Sequence, residues 1–309
     1  MKKVFIDGKA GTTGLRIYER LSGREDIELI TLPEELRKDR EARRKALNSA
    51  DIVFLCLPDD VARESVSLID NPDTAVIDAS TAHRTLPDWA YGFPELNESF
   101  EEKIKKSKRI AVPGCHASGF VALIYPLVEA GLIGADTQLT CFSLTGYSGG
   151  GNKMIGEYEA DERDVLLDAP RQYALGQTHK HLPEMTAITG LKNAPIFCPI
   201  VSDFYSGMEV TVPLFVSQLQ NDKTVEDVKK VYKDKYQGPM VKYTDENENG
   251  FASAGVLSGN DTMQISVFGN DDRILLVARF DNLGKGASGA AVECMNLLLG
   301  ESATKCLEI

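Results

Sequence analysis

The sequence predicts an α/β protein of two parts: a doubly wound parallel sheet at the N-terminus, followed by an α+β domain on a mixed or antiparallel sheet. Short β-branched runs alternate with helix-compatible stretches through the first third, and the pattern beyond residue 200 changes to strict period-2 alternation. The 309 residues also exceed the roughly 100–200 of one domain. With 43% apolar and 26% charged residues, the chain has the composition of a packed globular protein.

Strands are expected at 3–7, 27–31, 51–56 and 74–78, with helices at 11–22, 34–48 and 59–69 between them. Parallel neighbours require crossover connections, and the intervening helices supply them. A further strand at 109–112 runs into Pro113-Gly114-Cys115 and an apolar helix from 118 to 131. In 208–217, Val210, Val212, Leu214 and Val216 share one face and Glu209, Thr211 and Ser217 the other, as in a sheet solvated on one side. Strands at 262–268 and 273–280 join it, and a long helix after Leu283 closes the chain. The expected domains are 1–114, completed by a C-terminal helix at 286–309, and 115–285.

Charge and hydropathy exclude whole classes of partner. Lysine and arginine number 34 against 46 acidic residues, a formal charge of −12, so a polyphosphate backbone is repelled and nucleic acid is not expected. No apolar run reaches the ~18–20 residues that span a bilayer. Val4-Phe5-Ile6 before Asp7 is too short for the apolar part of a signal peptide. Six cysteines, at 56, 115, 141, 198, 294 and 306, form no close pair, which reads as reduced thiols in a cytoplasm rather than a disulfide framework.

The first strand ends in Asp7-Gly8-Lys9-Ala10-Gly11-Thr12-Thr13-Gly14 and opens into a helix. Glycines at 8, 11 and 14 let the backbone turn tightly, approach a diphosphate and present amides at a positive helix end. The spacing is G-x-x-G-x-x-G, so a ligand-free tight turn is the competing reading. NAD-specific folds place a carboxylate about 20 residues further on. Here Thr31-Leu32-Pro33 is followed by Arg37, Lys38, Arg40, Arg43, Arg44 and Lys45, which suits the extra phosphate of NADP; a solvated face paired with Glu34, Glu35 and Glu41 is the alternative.

Cys115 in Val112-Pro113-Gly114-Cys115-His116-Ala117-Ser118 follows a strand and starts a helix. Helix-end amides favour the thiolate, the nucleophilic form, over the inert buried thiol that most cysteines become. Only four histidines exist, so a base has few candidates. In His179-Lys180-His181-Leu182-Pro183-Glu184, Pro183 and Glu184 fit a first helical turn, leaving His181 near the N-cap. Metal binding by the two histidines lacks a third ligand at a recognisable spacing, and solvated loop histidines are the plainer alternative. Thr145-Gly146-Tyr147-Ser148-Gly149-Gly150-Gly151 suits either a phosphate- or acyl-binding bend or a hairpin tip. Asp78-Ala79-Ser80-Thr81-Ala82-His83-Arg84 follows a parallel strand, at the sheet edge where ligands bind. Asp281-Asn282-Leu283-Gly284-Lys285-Gly286 precedes the last helix.

These segments, with Tyr91-Gly92-Phe93-Pro94-Glu95-Leu96-Asn97, resemble the N-acetyl-gamma-glutamyl-phosphate reductase family in its shorter form, and more distantly aspartate-semialdehyde dehydrogenase, over nearly the whole chain. The resemblance implies a Rossmann-type cofactor domain and NADPH-dependent reduction of an acyl phosphate to an aldehyde with release of phosphate, in arginine biosynthesis. It casts Cys115 as the nucleophile that forms a thioester, His181 or His179 as the base, and Glu184 as an orienting group. Gly8, Gly11, Thr12, Thr13 and Gly14 match the cofactor loop, with Arg37 and Lys38 beyond it; Asn282, Lys285 and Gly286 match the segment that returns to the nicotinamide. Ser80, Arg84 and Ser148 fall in matching segments as substrate-binding candidates. The chain departs from the family at His116, where an aromatic residue is usual, at Ser118, usually threonine, and in DASTAHR, usually DLSADFR. Aspartyl phosphate and carrier-linked aminoadipyl phosphate are the alternative substrates, and a silent NADP-binding sensor is the alternative class. A cytoplasmic homodimer or homotetramer without bound metal completes the expectation.

Overall fold

Strands β1 (Lys2–Asp7), β2 (Ile27–Ile30), β3 (Ile52–Leu55), β4 (Ala75–Asp78), β5 (Ala90–Tyr91) and β6 (Arg109–Ala111) form a parallel sheet in the order β2-β1-β3-β4-β6-β5. A computed structural model describes residues 1–309 and divides them into two units, 1–114 with 287–307 and 115–286 with 308–309. The helices are α1 (Thr12–Leu21), α2 (Arg40–Ser49), α3 (Asp59–Ser67), α4 (Glu98–Lys106), α5 (Cys115–Glu129), α6 (Gly151–Tyr158), α7 (Leu182–Thr189), α8 (Val225–Lys235) and α9 (Gly289–Leu298).

The first unit buries both faces of its sheet. Val4, Ile6, Phe54, Ile77 and Ile110 enter one core with Ile17 and Leu21 of α1 and Ala291, Val292 and Met295 of α9. Phe5, Val53, Leu55, Val76 and Ala111 enter the other with Leu47 of α2 and Ala62 of α3. Two covered faces explain why these strands read as continuous apolar runs.

The second unit carries β7 (Thr140–Gly146), β8 (Arg171–Gln172), β9 (Ile196–Ser202), β10 (Met208–Phe215), β11 (Val241–Tyr243), β12 (Met263–Gly269) and β13 (Arg273–Phe280). Their order is β11-β12-β13-β10-β7-β9-β8; β7–β9 and β11–β12 are parallel and the rest antiparallel, so the sheet is mixed. Met208, Val210, Val212 and Leu214 are buried in β10, as its alternation requires. Val216 lies beyond the strand in a short 3-10 turn.

Four expectations need correction. The closing helix does not run over 286–309: a π-helical turn at Gly284–Ser288 leads into α9, which ends at Leu298, and the residues beyond it are turns and irregular chain. Residues 34–48 are not one helix: a 3-10 turn at Glu34–Leu36 ends, and Asp39 caps a new helix by accepting from Ala42 N at 2.7 Å. The apolar helix begins at Cys115, as the reading of that thiol at a helix start has it, three residues before the start near 118 drawn from the apolar run. Residues 147–150 form a 3-10 turn that leads into α6, which removes the hairpin-tip reading.

A buried ion pair ties β1 to α2 and α3. Arg43 Nη2 lies 3.0 Å from Asp7 Oδ2 and donates to Ser65 Oγ at 2.6 Å, while Ser65 Oγ donates to Asp7 Oδ2 at 3.1 Å. Arg43 is therefore committed beneath the glycine loop, which corrects its place in the basic cluster. Arg44 pairs with Asp70, and Arg40 with Glu41 and Glu64, on the surface. Removing one member of a buried pair strands the other, so Arg43→Met is expected to cost about 3–5 kcal/mol in urea unfolding. Arg44→Met, on the exposed pair, should leave the midpoint almost unchanged.

Candidate active site

The glycine loop leaves β1 where the strand order reverses between β2 and β3, the edge at which open parallel sheets bind ligands. Gly8 has φ +91°, and a Cβ there would stand 2.3 Å from Cys56 O; a Cβ on Gly14 would stand 2.4 Å from Gly8 O. Only glycine allows this close approach. Gly11 caps α1 with no side-chain acceptor, leaving the first-turn amides at Thr12 and Thr13 for an anion. This cradle fits the diphosphate of a dinucleotide. Arg37 and Lys38 follow the 3-10 turn on the surface, Arg37 within 3.9 Å of Glu34.

Ser80 and Arg84 sit in the loop after β4, and their contacts shape that loop. Ser80 Oγ donates to Asp78 Oδ2 at 2.7 Å, and His83 Nδ1 lies 2.6 Å from the same oxygen with its ring stacked on Trp89. Arg84 donates to Val112 O at 2.9 Å and Ala79 O at 3.0 Å. Both side chains are buried.

In the second unit Cys115 is the first residue of α5, so its thiol sits at the positive end of a helix dipole. Space for it depends on Gly286, where a Cβ would approach Cys115 Cβ to 3.1 Å. The sequence neighbour His116 is buried, with Nδ1 2.6 Å from Ser143 Oγ and Nε2 2.6 Å from Tyr173 OH. The rings of His179 and His181 each lie 5.6 Å from that of His116 and 4.7 Å from each other, and Phe197 packs against His116 and His179. His181 N donates to His179 Nδ1 at 3.2 Å. As expected from Pro183 and Glu184, His181 is the N-cap of α7, and Glu184 is buried in its first turn.

Burial, reinforced by His179, pushes the His116 pKa down to about 3. Its imidazole is neutral near pH 7 and cannot accept a proton there, which leaves His179 and His181 as candidate bases. Burial, and then the neighbouring Cys115, push the Tyr173 phenol up, so it remains a donor. Tyr173, Ser143 and Phe197 were not singled out from the sequence, because no periodicity or spacing marks them and only the fold brings them to the histidines.

Asn282 Nδ2 donates to Ser148 Oγ at 3.0 Å, and Asn282 Oδ1 accepts from Gly207 N at 2.9 Å. Asp281 accepts from Ser206 Oγ, Gly259 N and Leu283 N. These bonds fix the loop that carries the buried Lys285 and Gly286 and join it to the turn at Ser148. No group of three or more His, Cys, Asp or Glu side chains is placed to hold a metal ion.

Residues 3–107 match the semialdehyde dehydrogenase NAD-binding domain model, and 115–282 match the semialdehyde dehydrogenase dimerisation domain model. The chain is 43% identical over 311 residues to N-acetyl-gamma-glutamyl-phosphate reductase 2 of Nostoc sp., covering 96% of this chain and 97% of the relative. It is 46% identical over 305 residues to N-acetyl-gamma-glutamyl-phosphate reductase of Chelativorans sp., covering 96% and 98%. The fold is similar to that of aspartate semialdehyde dehydrogenase with NADP from Candida albicans, at a TM-score of 0.66 and 17% identity over 98% of this chain and 99% of that one.

The neutral His116 gives the fold an acid weakness. Its folded pKa of about 3 lies below the ordinary 6.5 of a solvated imidazole, so the unfolded chain binds more protons between those values. Its stabilising contribution is whole above about pH 6.5 and is lost as pH falls toward 3, at up to about 1.4 kcal/mol per pH unit. Urea melts from pH 7 to 4 should show this loss in the native chain and a shallower one in His116→Gln.

Proposed function

The chain belongs to the semialdehyde dehydrogenase family, among its N-acetyl-gamma-glutamyl-phosphate reductases, and from that membership we propose that it reduces N-acetyl-L-glutamyl 5-phosphate to N-acetyl-L-glutamate 5-semialdehyde in arginine biosynthesis. The observation that carries the reading is the Cys115 thiol at the start of α5, preceding His116, whose ring packs against His179 and His181.

In this mechanism His181 or His179 takes the Cys115 proton, and the thiolate attacks the acyl-phosphate carbonyl. The C–S bond forms, the C–OP bond breaks, and phosphate leaves from a thioester on Cys115. The amide at the N-terminus of α5 faces the oxyanion that develops at that carbonyl. Bound NADPH supplies the hydride that reduces the thioester. The histidine gives its proton to the resulting thiohemiacetal oxygen and takes it back as the C–S bond breaks, so that collapse releases the aldehyde and leaves the Cys115 thiolate beside the protonated histidine. Glu184 orients the histidine pair from the first turn of α7. Ser148 and the loop at Ser80 and Arg84 contribute to acyl-phosphate binding.

Gly8, Gly11, Thr12, Thr13 and Gly14 would hold the diphosphate of NADP(H), and Arg37 and Lys38 would meet its extra phosphate. The loop at Asn282, Lys285 and Gly286 serves the nicotinamide end. Residues 1–114 with the C-terminal helix act as the cofactor domain, and 115–285 as the catalytic domain. The outer face of the second sheet exposes Phe142, Ile196, Phe215 and Leu275 on neighbouring strands, which supports a homodimer or homotetramer. Six free cysteines, one of them the nucleophile, support a cytoplasmic setting. No helix is long and apolar enough to cross a membrane.

The reverse reaction tests this directly. With NADP, phosphate and N-acetylglutamate semialdehyde the protein should form NADPH, and Cys115→Ser should not. Activity with aspartate semialdehyde instead would overturn the substrate assignment, and activity with neither would overturn the reaction.

A further inference from the structure

The loop from 173 to 181 carries Tyr173, His179 and His181 and holds an unfavourable backbone. Ala174 and Gln177 are both left-handed, with φ +52° and +54°. Residues with a Cβ persist in that region only where their surroundings leave no alternative.

One side chain supplies much of that constraint. Gln177 Oε1 accepts from Phe197 N at 2.8 Å, and Gln177 Nε2 donates to Phe197 O at 2.7 Å. The antiparallel pairing of β8 with β9 runs from Arg171–Val201 to Gln172–Ile200 and continues as Tyr173 N to Pro199 O at 3.0 Å. The main chain then departs, and the Gln177 carboxamide pairs with β9 in its place two residues further along. Phe197 is buried, and its ring packs 5.1 Å from His179 and 5.3 Å from His116. At the other end of the loop, Tyr173 OH meets His116 Nε2.

We propose that Gln177 is a positioning residue for the reaction: its carboxamide clips the 173–181 loop to the Phe197 peptide and so sets where His179 and His181 stand. This rests on the reading that one of those histidines is the base. Gln177 acts through the loop and through the Phe197 ring.

Gln177→Met keeps the length of the side chain and removes both hydrogen bonds. Gln177→Glu keeps the acceptor and, once protonated, regains a donor. In the full-length enzyme, both should lower kcat of the reverse reaction by about tenfold to a hundredfold, with KM for the semialdehyde within about twofold. The histidine limb of the pH–rate profile should move, and the ratio of Gln177→Glu to native kcat should rise as pH falls. Independently of substrate, iodoacetamide labelling of Cys115 at pH 7, read by peptide mass, should slow in Gln177→Met. Gln177→Met with native kcat, pH profile and labelling rate would overturn the proposal, as would a kcat loss that simply tracks a fall in melting temperature. An inactive native enzyme would instead overturn the functional reading, and the labelling result would still decide the role of Gln177.

Discussion

The geometry around Cys115 is the constraint on which the rest depends. In the proposed mechanism Cys115 is a sulfur nucleophile, which needs a polarised helix end, room for an acyl group and a base within reach. The sequence meets the first by starting α5 at Cys115, directly after Pro113-Gly114. It meets the second by placing glycine at 286, where any Cβ would press on that of Cys115. The third depends on His116, which is too deeply buried to carry charge and works as a hydrogen-bonded spacer between Ser143 and Tyr173. A charged imidazole there would oppose protonation of His179 and His181 beside it.

The first unit solves a different problem. Gly8 and Gly14 are packed to distances that no side chain tolerates, which suits the close approach to a diphosphate that the proposed cofactor role asks of this loop. Beneath the loop, the Asp7–Arg43–Ser65 network fixes the end of β1 against α2 and α3. Removing any one partner would leave the others buried and uncompensated, so the three groups hold together the exit of the strand that feeds the loop.

Much of this was legible in the residues. Short β-branched runs alternating with helix-compatible stretches gave the parallel sheet, because parallel neighbours need crossover helices, and Pro183 with Glu184 marked the start of α7 with His181 near its cap. Legibility ended where function depends on partners distant in sequence. Arg43 read as one cation among six, and only the fold shows Asp7 36 positions earlier as its partner. Tyr173 and Gln177 lie in a stretch without periodicity, and their roles come from Phe197 and His116, which no local pattern connects to them. The break at Asp39 was missed because an N-cap inside a charged stretch resembles one more helical residue.

The claim at the centre of this account is that the reaction passes through a thioester on Cys115. Mixing the protein with N-acetylglutamyl phosphate in the absence of NADPH, quenching in acid and mapping peptides by mass tests it most directly. The account predicts one acyl group on the peptide that contains Cys115, with phosphate released in step, and removal of the label when NADPH is added. Phosphate release without acylation, or an acyl group on any of the other five cysteines in place of Cys115, would contradict it.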